Sequence, residues 1–207
     1  MNFIICSYFT LGTPYQNVAH KYLMSSLTDI EDREFVSDIC AVPDRGTWQA
    51  NTSYKPEFIK QMLKKHKGLN IIFLDADAEV MAYPELFENI PHEYHVAAHL
   101  LDRTKWYNHE IGESKELLSG TLFIRNTPID HAIVNEWIHM CELYPHMWEQ
   151  ALLQRVLIEM EVKLYELPLS YCFIRSLPDG SEPHIKCENP VIIHNQVSRS
   201  LRNRKEK

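Results

Sequence analysis

Short apolar runs alternate with longer stretches of helical periodicity along the whole chain, and this alternation predicts an α/β fold. Seven runs read as strands: Phe3–Ser7, Asp38–Val42, Asn70–Leu74, His95–Leu100, Thr121–Arg125, Lys163–Leu167 and Val191–His194. Between the first two, Tyr15, Val18, Ala19, Tyr22, Leu23, Ser26 and Leu27 fall on one helical face. Pro56 suits the first position of a second helix, which turns Phe58, Ile59, Met62 and Leu63 inward and ends at Gly68. Thr127-Pro128-Ile129-Asp130 reads as a cap and first turn leading into Ala132, Ile133, Trp137, Met140, Cys141 and Tyr144. A fourth helix is expected from Trp148 to Met160, burying Leu152, Leu153, Val156 and Leu157. Leu101–Glu116 is polar and aromatic without period and reads as a surface loop, of a length that often carries function.

No repeat, low-complexity stretch or Gly/Ser linker interrupts the pattern, so residues 1–207 are expected to form a single domain. No apolar run approaches the roughly 20 residues of a membrane span. Met1-Asn2-Phe3-Ile4-Ile5-Cys6 carries no basic n-region, so no signal peptide is expected. Five cysteines, odd in number and without a CxxC pair, read as reduced thiols and suggest a cytoplasmic location. The net charge of −7 argues against a dedicated nucleic-acid binder. Residues 195–207 are the local exception, a basic tail with Arg199, Arg202, Arg204, Lys205 and Lys207. It reads either as a solvated end or as a contact for phosphate, anionic lipid or an acidic partner.

The segment richest in chemistry is Asn70-Ile71-Ile72-Phe73-Leu74-Asp75-Ala76-Asp77-Ala78-Glu79. Its apolar run suits a central strand covered on both faces. Two carboxylates spaced i, i+2 follow, directed to one side of an extended chain. At the C-terminal end of a strand they point into the crevice where open α/β sheets bind ligands. Unpaired they repel, so a divalent cation is the natural partner, and oxygen ligands favour Mg²⁺ or Mn²⁺.

With these residues in place, the sequence resembles nucleotide-diphospho-sugar transferases of the GT-A fold, in particular the glycogenin and lipopolysaccharide galactosyltransferase group. The resemblance implies a Rossmann-like, mixed, mainly parallel sheet flanked by helices. It also implies transfer of a sugar from a nucleotide-sugar donor, with a lean toward retention. Phe73-Leu74-Asp75-Ala76-Asp77 matches the family's strand-DxD; Ser7-Tyr8-Phe9-Thr10 lies where the family contacts nucleobase and ribose, which implicates Tyr8 and Thr10. Lys55 stands near a basic residue that reaches the donor. Leu118-Ser119-Gly120 corresponds to the family's small-Gly segment, with Gly120 allowing close approach to the sugar and Leu118 and Ser119 replacing the usual polar pair. Trp148-Glu149-Gln150 is similar to the family's Asp-Gln at a helix start, which makes Glu149 and Gln150 the expected catalytic pair. His194, ending a late strand, would complete the metal site with Asp75 and Asp77, and its imidazole tilts the choice toward Mn²⁺ over Mg²⁺. Arg199 would contact the diphosphate. Apart from the resemblance, Asp102-Arg103, which follows the fourth strand, reads either as a contact for donor hydroxyls or as a surface ion pair.

Trp106 and Tyr107 offer a surface for an acceptor sugar. His92, His95 and His99 invite a zinc reading, but on a strand His95 and His99 lie about 13 Å apart, too far for one ion. A haloacid dehalogenase-type phosphohydrolase with Asp75 as nucleophile is the rival reading. A catalytically silent sugar-nucleotide-binding module is another. The acceptor stays open among glycan, protein, lipid-linked sugar and modified DNA.

Overall fold

The computed structural model describes residues 2–30, 36–107, 115–177, 180–198 and 201. In chain order the elements are β1 (Phe3–Thr10), α1 (Pro14–Ala19), a π-helical turn (His20–Met24) leading into α2 (Ser25–Asp29), β2 (Ser37–Val42), α3 (Trp48–Thr52) and α4 (Lys55–Lys65). There follow β3 (Asn70–Leu74), β4 (Ala78–Val80), β5 (Val96–Asp102), α5 (Arg103–Tyr107), β6 (Lys115–Ile124) and α6 (Pro128–Leu143). The last are α7 (Glu149–Glu159), β7 (Leu164–Glu166), β8 (Phe173–Ile174) and β9 (Ile192–His194).

Six strands form a mixed sheet in the order β2-β1-β3-β6-β5-β7. All its pairings are parallel except those of β6, which runs antiparallel to both β3 and β5. The apolar run of β3 is explained by two cores, one on each face. Ile71 and Phe73 pack with Phe58, Ile133, Trp137 and Leu153 of α4, α6 and α7. Ile72 and Leu74 pack on the other side with Leu23, Phe87 and Tyr171. The start of α6 is fixed as expected, the Asp130 carboxylate accepting from the Thr127 backbone N–H at 2.9 Å.

A second, three-stranded sheet, β4-β9-β8, sits beside the first. Neither β4 nor β8 was expected, because three- and two-residue strands are too short to carry an alternation. β1 extends three residues past Ser7, since β2 continues to pair with it as far as Thr10↔Val42. β6 begins at Lys115, well before the expected Thr121, because a bulge hides its period. Ala98 pairs with Leu122 but the next residue, His99, pairs with Leu118, so Ser119, Gly120 and Thr121 leave the β5 ladder.

The expectation of one surface loop over Leu101–Glu116 is corrected. Leu101 and Asp102 finish β5, α5 follows, and Lys115 and Glu116 open β6; residues 108–114 lie outside the described residues. Trp106 is 1% exposed against Leu101, Leu118, Cys172 and Ile174, so it is core and not a sugar-stacking surface. The side chain of Tyr107 lies outside the described residues. Among the described residues no helix is long and apolar enough to cross a membrane.

Candidate active site

β3 delivers its two carboxylates to a cleft of about 600 Å³ that crosses the C-terminal ends of β1 and β3 and reaches the start of α7. The turn is held at both ends. The Asp75 N–H donates to Gly120 O at 2.9 Å, and the Ala78 N–H donates to Asp75 O at 2.9 Å. β4 then pairs with β9 so that Ala78 stands opposite His194. This register brings a residue from the far end of the chain to the acidic pair. His194 Nδ1 lies 3.8 Å from Asp77 Oδ1, and ligand atoms of Asp75, Asp77 and His194 all fall within 4.8 Å of one another. The segment after β9 wraps Asp77: the Val197 N–H donates to its carboxylate at 2.9 Å, and Asn195 Nδ2 donates to its carbonyl at 3.0 Å.

These residues fit a divalent cation. Two ligands each about 2.1 Å from one ion lie at most about 4.2 Å apart, so the observed spacing closes with small side-chain shifts. The charges agree. Around the acidic turn the carboxylates of Asp75, Asp77 and Glu149 outnumber the Lys55 ammonium and the His194 ring. Burial and the carboxylates of Asp77 and Glu149 raise the pKa of Asp75 against the pull of Lys55 and His194. Its side chain keeps 40% of its surface accessible, so solvent moderates that strain. Burial disfavours charge on the His194 ring, but Cys172 and Asp77 beside it outweigh that and push its pKa up to about 10. A cation bound between these groups would answer the same field. Among the described residues this is the one such cluster of His, Cys, Asp and Glu. His95 lies by Asp130, His99 Nδ1 is 2.8 Å from Leu167 O, and His92 is beside Arg125, so the three histidines form no site.

Lys55, the first residue of α4, is 3% exposed. Its ammonium is 3.1 Å from Asp75 Oδ1, 2.8 Å from Glu149 Oε1, and donates to Ser119 Oγ at 2.8 Å. Burial works against its charge, but Asp75 and Glu149 reverse the balance and raise its pKa, so it is a cation. Ser119 Oγ donates in turn to Glu149 Oε1 at 2.7 Å. Ser119 therefore does hydrogen-bond at the position where the family's polar pair is replaced. Its chemistry was invisible without knowing that the β6 bulge turns it toward α4 and α7.

Gly120 is closely approached by His194 and Asp75. A Cβ on Gly120 would meet His194 Cε1 at 2.9 Å, His194 Nδ1 at 3.0 Å and Asp75 Oδ2 at 3.2 Å. Gly120 thus makes room for His194 and Asp75. Gln150 lines the cleft and donates its Nε2 to Glu116 Oε1 at 2.5 Å, with Arg103 Nε 3.6 Å from the other Glu116 oxygen. Arg103, expected with Asp102 near the donor hydroxyls, lines the cleft, and so does Glu116, which carried no sequence signal. Tyr8 and Thr10 line its other end; the Tyr8 hydroxyl donates to Asn51 O at 2.7 Å, and Thr10 Oγ1 is 2.7 Å from Thr13 Oγ1. Burial first, then Asp75 and Glu149, raise the pKa of Tyr8, which keeps the phenol protonated. Asp102 ends β5 opposite Lys115 and does not line the cleft, whereas the adjacent Arg103 does. Arg199 lies outside the described residues.

A family model described as nucleotide-diphospho-sugar transferase matches residues 18–207. No curated protein matches the chain. Solved structures that share its fold include three glycosyltransferases. The apo WbbM bifunctional glycosyltransferase is 12% identical with a TM-score of 0.62, covering 94% of this chain and 45% of its own. Mouse xyloside xylosyltransferase 1 in its apo form is 14% identical with a TM-score of 0.61, covering 96% and 99%. A glycosyltransferase involved in glycosylation of the major capsid of PBCV-1 is 14% identical with a TM-score of 0.61, covering 98% of each chain. The chain thus spans less than half of WbbM and nearly all of the other two. At such identities the likeness speaks for the fold, and the family match, over most of the chain, displaces the phosphohydrolase reading. The chain belongs to the nucleotide-diphospho-sugar transferase family and has the GT-A fold of its glycosyltransferase neighbours.

Proposed function

We propose that the protein is a metal-dependent glycosyltransferase that moves a sugar from a nucleoside-diphosphate donor to an acceptor hydroxyl, with retention at the anomeric carbon. The observation that carries this reading is the convergence of Asp75, Asp77 and His194, with Asp75 and Asp77 lining a cleft large enough for a donor and His194 buried behind them. Asp75, Asp77 and His194 would hold Mn²⁺, with Mg²⁺ as the alternative. Bound there, the ion supplies positive charge to the departing diphosphate.

The chain's own residues do the rest. Tyr8 and Thr10 line the end of the cleft for nucleobase and ribose. Lys55 is engaged by Asp75, Glu149 and Ser119, so its service to the donor is to hold those carboxylates in place. Glu149 faces the reacting centre from the start of α7. A carboxylate only accepts hydrogen bonds, so Gln150 must turn its amide nitrogen to Glu116, which leaves its amide oxygen for the cleft. That oxygen can stabilise positive charge growing on the sugar but is no proton acceptor, which suits retention better than inversion. Arg199 remains our candidate for the diphosphate, and of Asp102 and Arg103 the one that lines the cleft, Arg103, is our candidate for donor hydroxyls. The acceptor is a hydroxyl of a glycan, protein, lipid-linked sugar or modified DNA. The carboxylates around the cleft disfavour the last.

The test is incubation of the pure protein with Mn²⁺ and a panel of sugar nucleotides, following release of nucleoside diphosphate. Slow release that stops with chelator and returns with Mn²⁺ supports the reading. Donor binding without any release identifies a silent binding module, and full turnover in excess chelator removes the metal.

A further inference from the structure

His194 is 2% exposed, with its ring lodged between the acidic turn after β3 and the β6 bulge. Two consecutive bulge residues shape its seat. Gly120 lies against the Cε1–Nδ1 edge so closely that a Cβ would stand 2.9–3.0 Å from it. Thr121, wholly buried, places Oγ1 2.8 Å from Nε2. Thr121 is itself fixed, paired in the sheet with Leu74, the residue before Asp75. The two ring nitrogens therefore have different surroundings: Nε2 meets a hydroxyl, while Nδ1 lies on the Asp77 side, 3.8 Å from Oδ1. Cys172 also borders the ring, but a thiol is a weak hydrogen-bond partner beside a hydroxyl.

An imidazole that ligates a cation through one nitrogen carries its proton on the other and donates it to a fixed acceptor. We propose that Thr121 is a positioning residue for the metal site: it accepts from Nε2–H and so holds His194 in the tautomer and orientation that turn Nδ1, with Asp75 and Asp77, toward a divalent cation. This rests on the metal reading above and assigns the residue that makes the third ligand competent. Ligation through Nε2 would require breaking the Thr121 bond and turning the ring in a space that Gly120 barely provides. A buried threonine hydroxyl is costly without a partner, and this ring nitrogen gives it one.

The experiment is a Mn²⁺ titration of the full chain, read by loss of the free-ion electron paramagnetic resonance signal, with thermal melting as the check on folding. Thr121→Val keeps the shape and removes the hydroxyl; it should weaken Mn²⁺ binding about tenfold or more, within the range known for lost outer-shell partners. Thr121→Ser should stay within about threefold of the parent. In a His194→Ala background, Thr121→Val should cause no further loss, which separates a role through His194 from general damage even if the single variant melts early. Parent-like affinity in Thr121→Val, or an equal loss in the His194→Ala background, overturns the proposal. A parent protein that binds no Mn²⁺ overturns instead the metal site on which it rests.

Discussion

Lys55 shows how a single residue gains its meaning from the fold. Its ammonium meets the Glu149 carboxylate with side-chain exposures of 4% and 6%, so the pair is held out of water. Removing the cation alone would strand a buried carboxylate, a change that typically costs 3–5 kcal/mol. Lys55→Met should therefore destabilise the protein by about 3 kcal/mol, the low end, because the second partner Asp75 is 40% exposed and screened. Urea denaturation measures this, and a loss below about 1 kcal/mol would mean that the carboxylates find another partner. Glu149→Gln makes a complementary prediction. Turnover should fall while nucleotide affinity stays nearly intact, the pattern of a group acting mainly in the transition state. Normal turnover would leave Glu149 only as the structural partner of Lys55. Asp75 and Asp77 were legible in the sequence because a strand end places an i, i+2 pair by itself. Lys55 was half legible: a basic residue was expected near the donor, but its burial depends on Ser119, 64 residues away, which no local pattern encodes.

At the scale of elements, the β6 bulge does the most for the site. A regular β6 would keep Ser119, Gly120 and Thr121 on the β5 ladder; the bulge frees them, and they meet Glu149, Asp75 and His194 instead. Gly120→Ala tests this directly. The added methyl falls within 2.9 Å of the His194 ring, so the ring must move. We expect Mn²⁺ affinity to drop at least tenfold while circular dichroism shows a folded chain. Parent-like affinity would show that the seat is loose. The strands that bring His194 to Asp77 were the least legible part of the fold. β4 and β8 have three and two residues, and their pairing with β9 is long-range and leaves no periodic trace. α6 and α7 were legible for the opposite reason, since their apolar faces repeat over several turns, and α6 also opens on a capping box.

For the whole molecule, the alternation of strand and helix was enough to give the fold class, and the continuous apolar run of β3 reports its two-sided burial. The location of the cleft follows from topology: the ends of β1 and β3, the bulge of β6 and the start of α7 converge, and residues 195–198 close over Asp77. The excess of carboxylates over cationic groups among Asp75, Asp77, Glu149, Lys55 and His194 favours a cation at that convergence. The measurement that tests this most directly is anomalous scattering from a crystal grown with Mn²⁺ and a nucleoside diphosphate. A manganese peak is expected about 2.0–2.3 Å from carboxylate oxygens of Asp75 and Asp77 and from a ring nitrogen of His194. A well-ordered nucleotide in the cleft with no manganese peak there, or with the peak away from His194, would contradict it.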